Sequence, residues 1–123
     1  MSMQDLTSDF VARINNTILA KNSSCEVLKN NLVINITNKL TKLGYFSSFE
    51  IKERTINIVI SSNKINKIKR MSKPGRRVYS SYSYIPKLFG GHGFYILSTS
   101  KGVLTNIEAN NMKFGGEILF SIF

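Results

Sequence analysis

Phe94-Tyr95-Ile96-Leu97-Ser98-Thr99-Ser100-Lys101-Gly102, residues 94–102, changes character partway along. The stretch Phe94–Leu97 is apolar and suits a short buried strand. The residues that follow are small, hydroxylic or basic and end on glycine, so the run should break into a polar loop. Downstream, Thr105-Asn106-Ile107-Glu108 has the Thr-x-x-Glu spacing of a capping box and predicts a brief helix. Gly115-Gly116 then turns the chain into a last strand at 117–123. Upstream, Gly90-Gly91-His92-Gly93 reads as a loop, Pro86 opens a short turn at 87–89, and Tyr79 to Tyr84 is rich in Ser and Tyr. Residues 64–77 carry seven basic side chains and no acidic one, with Ile65, Ile68, Met71 and Val78 interspersed, so part of this segment should be strand. The second half is thus expected to be mostly β.

The first half has a different rhythm. Leu6, Phe10, Ile14 and Ile18 recur every four residues and predict one helix over about 5–20, with Asp5 and Asp9 favourably placed in its first turns. Asn22-Ser23-Ser24 is a loop, and 25–28 a short strand. A second helix follows, capped by Asn30 or Asn31, with Leu32, Ile36, Leu40 and Leu43 as its buried face and Gly44 just past its end. Two strands complete the half, 45–52 and 56–60, with Glu53-Arg54 in the turn between them. The expected fold class is α+β: an N-terminal α/β lobe, 1–62, packed on a mainly β C-terminal lobe, 63–123, with the boundary near Ser61-Ser62-Asn63.

Charge divides the chain in the same sense. Residues 1–53 hold six basic and five acidic side chains, whereas 54–123 hold eleven basic and two acidic. The overall formal charge of +10 is therefore almost wholly a property of the second half, which is suited to a polyanion. Nucleic acid is the default partner, and an anionic membrane surface is its competitor. The single cysteine, Cys25, permits no internal disulfide, and no apolar run is long enough to span a bilayer. Met1-Ser2-Met3-Gln4-Asp5 reads as neither a signal peptide nor a transit peptide. Fifteen Ile, thirteen Asn and twelve Lys against three Ala point to A+T-rich coding, as in an organelle or a reduced endosymbiont.

Two segments could carry chemistry. In Ser72-Lys73-Pro74-Gly75-Arg76-Arg77, Pro and Gly form a tight turn that fixes Lys73, Arg76 and Arg77, and arginine forks match phosphate oxygens. The plainer alternative is a hairpin with a solvated basic face. In Ser98–Gly102, hydroxyls beside Lys and Gly let the backbone approach a sugar-phosphate edge, or else form a turn that caps itself. The spacing of a P-loop is absent. Tyr79, Tyr82, Tyr84 and Tyr95 can stack on an unpaired base or cover the edge of a core. His92 has no partners at metal-ligand spacing, Glu108 is accounted for by the capping box, and Glu117 is then left without a second carboxylate. We expect no catalytic residue, no metal and no cofactor.

At these segments the chain resembles the bacterial-type ribosomal protein S8 family. The resemblance is carried by Met1-Ser2-Met3-Gln4-Asp5, Ser72-Lys73-Pro74-Gly75 with Arg77-Val78-Tyr79, Ile85-Pro86-Lys87, Ile96 through Val103, and Gly115-Gly116-Glu117. It covers essentially the whole chain. It implies a structural, non-enzymatic component of the small ribosomal subunit that binds the central domain of small-subunit rRNA and sits among neighbouring small-subunit proteins. It implies no membrane and no small-molecule substrate. It makes Ser98, Thr99, Ser100, Lys101 and Gly102 the main rRNA contacts, with Tyr79 flanking them, Lys73 and Arg77 nearby, and Glu117 supporting the loop by hydrogen bonding. The chain departs from the family pattern at Arg76, where an apolar residue is usual, and at Asn30-Asn31, where Ser-Lys is frequent; His92 and Ser121-Ile122-Phe123 also fall where this chain differs or the family varies.

Two rival readings make different predictions. A non-specific basic module would bind any helix, or anionic vesicles, alike. A small phosphate-processing enzyme built on Lys101 and His92 would lose turnover in His92→Ala. The expected location is an organelle ribosome, the mitochondrial matrix ahead of the plastid stroma, with a bacterial cytoplasm as the other setting.

Overall fold

A computed structural model of the protein describes residues 3–61, 68–70, 79–80 and 93–122. The turn expected at Pro74-Gly75, the turn at 87–89 and the Gly90–His92 loop lie outside the described residues. The chain forms two compact units, Met1–Ile68 and Lys69–Phe123.

The first unit contains α1 (Met3–Leu19), β1 (Ser24–Leu28), α2 (Asn31–Lys42), β2 (Phe46–Ile51) and β3 (Thr55–Ile60). Its sheet is antiparallel in the order β1-β3-β2, so β3 is central. This explains the isoleucine alternation: Ile56, Ile58 and Ile60 point to the core, where α1 packs against β1 and α2 against β2. Phe10 and Phe46 meet edge-on in that core, with ring centroids 6.3 Å apart. The Glu53-Arg54 turn closes as expected, with the Lys52 N–H donating to the Thr55 carbonyl at 2.8 Å.

The stripe on α2 is rotated from the expected one. Val33, Ile36, Thr37 and Leu40 are its buried residues, while Leu32 and Leu43 are only partly covered. A threonine can enter the core because its hydroxyl donates to the Val33 carbonyl, 2.8 Å away, and leaves no polar group unsatisfied. Asn30 is the cap, accepting from the Val33 N–H at 2.7 Å. Gly44 follows the helix with φ +92°. The Asn15 side chain holds the backbone of Ile68, the last residue of this unit, at both its N–H and its carbonyl.

The second unit is mainly β. The described strands of the second sheet are β4 (Ile68–Arg70), β5 (Tyr79–Ser80), β6 (Phe94–Thr99), β7 (Gly102–Thr105) and β8 (Gly116–Ile122), with α3 (Asn106–Met112) between the last two. The sheet runs β4-β8-β6-β7, and β5 also pairs with β8. Ile118 through Ile122 are all buried, as the central position of β8 requires. Leu97, Leu104, Ala109 and Ile118 form a cluster that Tyr95 and Phe114 cover. The capping box on α3 is present in both directions, Thr105 to the Glu108 N–H and Glu108 to the Thr105 N–H.

Two expectations from sequence need correction here. The strand at 94–97 does not break at Ser98 but continues through Thr99, and residues 102–105 form a strand that periodicity did not announce. The reason is pairing: Ser98 lies opposite Val103 and Thr99 opposite Gly102, so backbone hydrogen bonds carry the strand past its apolar segment.

Candidate nucleic-acid interface

Ser100 and Lys101 form the tip of the β6–β7 hairpin. Neither has a positive φ, while Gly102 has φ +104°. The primed two-residue turns, which need a positive φ at the first central residue, are therefore excluded, and Gly102 is the residue of this hairpin that takes the positive φ. The Thr99 hydroxyl braces the tip from within. It donates to the Gly102 carbonyl at 2.8 Å and accepts from the Lys101 N–H at 3.2 Å. The self-capping reading of this segment is therefore correct for Thr99, whose hydroxyl is committed to the turn. Ser100, Lys101 and Gly102 remain exposed, and Ser98 and Thr99 are half-buried. A Cβ at Gly102 would meet no atom of the described residues within 4 Å.

Strand pairing gathers the other expected residues. Ser98 lies opposite Glu117 across β6 and β8, and Tyr79 lies opposite Glu117 across β5 and β8. Tyr79, Glu117 and Ser98 thus stand in one row across three strands, although 38 positions separate Tyr79 from Glu117 in the chain (117 − 79). Tyr79 is 63% exposed, which leaves most of its surface free to contact a partner. Lys73, Arg76 and Arg77 lie outside the described residues, as does His92.

Two residues here were not singled out from sequence. Gly116 runs so close to β6 that a Cβ would collide with the Ser98 carbonyl oxygen. Its signal was the Gly-Gly pair itself, read as a turn and as part of the family resemblance. Phe114 lies under the hairpin tip: the Lys101 ammonium is 5.8 Å from its ring centroid. Nothing in the sequence pairs these two positions.

The first unit bears less on a polyanion. The Asn30 side-chain oxygen is committed to capping α2, and Asn31 is exposed. The Cys25 thiol is pushed up from its ordinary range by burial, which outweighs the opposing hydrogen bond with Thr17 and the nearby Arg13 charge. Burial therefore lowers its thiolate fraction further still. No group of three His, Cys, Asp or Glu side chains able to hold a metal occurs among the described residues. No described helix is long and apolar enough to cross a membrane.

Residues 5–123 match the family described as ribosomal protein S8. The chain belongs to the ribosomal protein S8 family. It is 41% identical to the small ribosomal subunit protein uS8 of Lachnoclostridium phytofermentans and 40% identical to the small ribosomal subunit protein uS8c of Euglena gracilis, in both cases over the whole of each chain. It is also 40% identical to uS8 of Bacteroides fragilis, over 98% of this chain and all of the relative. The α+β architecture agrees with membership of the S8 family.

Proposed function

We propose that this chain is a structural constituent of the small ribosomal subunit, and that its C-terminal lobe, 63–123, binds the central domain of the small-subunit rRNA. The observation that carries this reading is the hairpin tip at 99–102. Thr99 fixes its shape internally, Ser100 and Lys101 are exposed, and no described residue lies against the side of Gly102. A rigid tip of this kind can enter a groove and offer one hydroxyl, one ammonium and bare backbone to sugar and phosphate edges. In this proposal Ser98, Thr99, Ser100, Lys101 and Gly102 make the fit. Tyr79 flanks it, Glu117 supports the loop from β8, and Lys73, Arg76 and Arg77 supply phosphate contacts. The excess charge of the second half draws the RNA in, and the tip selects it.

The role is architectural, with neighbouring small-subunit proteins as further partners and no substrate or cofactor. The proposed location is the ribosome of an A+T-rich genome. Composition favours an organelle, and the bacterial and Euglena relatives bear equally on mitochondrion and plastid.

The test compares binding to a central-domain rRNA fragment with binding to a plain duplex of equal length across a salt series. The expected result is an advantage for the fragment that survives high salt and is lost in Ser100→Ala or Lys101→Ala. Equal binding to both RNAs, fading together with salt, would leave only a non-specific basic module.

A further inference from the structure

We propose that Phe114 is a positioning residue for Lys101, holding its ammonium in a preset direction at the hairpin tip so that the cation meets an RNA phosphate already ordered. This inference rests on the rRNA-binding reading of the hairpin. The Lys101 Nζ lies 5.8 Å from the Phe114 ring centroid, within the range at which the negative face of an aromatic ring attracts a cation. The interaction orients the ammonium but leaves its charge intact. Its three N–H bonds cannot all point at the ring, so donors remain for a phosphate.

The ring is firmly seated. The Phe114 N–H closes the end of α3 by donating to the Ala109 carbonyl at 3.0 Å. Its side chain packs on the Leu97, Leu104, Ala109 and Ile118 cluster. A residue at this position of a helix terminus needs only to be hydrophobic, and its partners in the cluster are all aliphatic. Packing therefore explains an apolar side chain here but does not call for an aromatic one. The cation above the ring does. A free lysine must immobilise a long side chain on binding, and a lysine already resting on an anchored ring has less freedom to lose.

The test uses the full chain with Phe114→Leu, Phe114→Tyr and Lys101→Met, titrated with the central-domain rRNA fragment and with the plain duplex at one salt concentration. Phe114→Leu should weaken fragment binding about threefold, the scale of an exposed cation–π contact. Phe114→Tyr should bind as the wild type does, and Phe114→Leu should add nothing in the Lys101→Met background. In the free protein, the Lys101 ε-methylene protons should show an upfield ring-current shift that Phe114→Tyr keeps and Phe114→Leu abolishes. Wild-type or tighter binding by Phe114→Leu overturns the inference, since the ammonium would then have to leave the ring to reach its phosphate. An equal loss in the Lys101→Met background overturns it too, by assigning the effect to packing. Absence of the ring-current shift in the wild type has the same force and needs no variant to fold. If the wild type does not prefer the fragment to the duplex, the rRNA reading fails and this inference falls with it. A preserved preference alongside an indifferent Phe114→Leu removes the role of Phe114 alone.

Discussion

Gly116 passes so close beneath the Ser98 carbonyl that no side chain fits between β8 and β6. The obstacle is backbone, which cannot swing aside as the end of a flexible side chain can. Gly116→Ala should therefore cost about 1–3 kcal/mol, the range for overpacking in a fixed interior, and should displace Ser98 and the hairpin beyond it. Gly102→Ala meets no neighbour among the described residues and should cost only about 1–2 kcal/mol, through its positive φ. Chemical denaturation of both variants, with amide shifts of Ser98 to Lys101, checks the contrast. Equal stability of Gly116→Ala and the wild type would show that the strands separate freely here.

The Asn15 side chain reaches the backbone of Ile68 with two hydrogen bonds, donating to its carbonyl at 2.7 Å and accepting from its N–H at 3.0 Å. Ile68 is 1% exposed, so these backbone groups have little access to water. Asn15→Ala should destabilise the protein by about 1–3 kcal/mol, the penalty for leaving buried polar groups unpaired. Asn15→Asp should cost at least as much, since it keeps the acceptor but sets a carboxylate oxygen against the Ile68 carbonyl. Urea midpoints for the two variants give the comparison.

All three described helices end with the same pair of reverse-turn hydrogen bonds, from Lys21 and Asn22, from Gly44 and Tyr45, and from Lys113 and Phe114. This termination needs a left-handed residue, and only α2 uses glycine; Lys21 and Lys113 have φ of 57° and 59°. Lys21→Gly and Lys113→Gly should each stabilise the chain by up to about 1 kcal/mol, a gain reduced by the greater freedom of glycine in the unfolded state. Thermal midpoints that fall in both variants would show that the lysine side chains contribute more than their backbone strain costs.

Cys25 should titrate above its ordinary value of 9.0, chiefly because burial disfavours the thiolate. Above the unfolded pKa the unfolded chain loses this proton while the folded chain keeps it. The linked stability is therefore fully present below pH 9.0 and is lost as pH rises through the folded pKa. Alkylation of native Cys25 by iodoacetamide, followed against pH, should rise later than that of the unfolded chain. Coincident profiles would mean that the thiol is solvated.

Much of the fold was legible in advance. The four-residue apolar repeat announced α1, the isoleucine alternation announced β3, and the Thr105–Glu108 spacing announced α3, because each signal is local and set by backbone geometry. The misread face of α2 has a physical cause: Thr37 looks polar in sequence but enters the core by hydrogen-bonding within its own helix. β7 was missed because Val103 and Leu104 give too short a run, and their strand exists only through pairing with Ser98 and Leu97.

The charge asymmetry, the family and the hydroxyl-lysine-glycine chemistry of 98–102 depend only on which residues are present and in what order. Tertiary structure decided what stands beside what. It set Tyr79 and Ser98 on either side of Glu117, removed every side chain but hydrogen from position 116, and laid Lys101 over Phe114. Those relations depend on strand register and on how α3 ends, and neither is encoded by neighbours in the chain: register is fixed only when distant strands bury a common face.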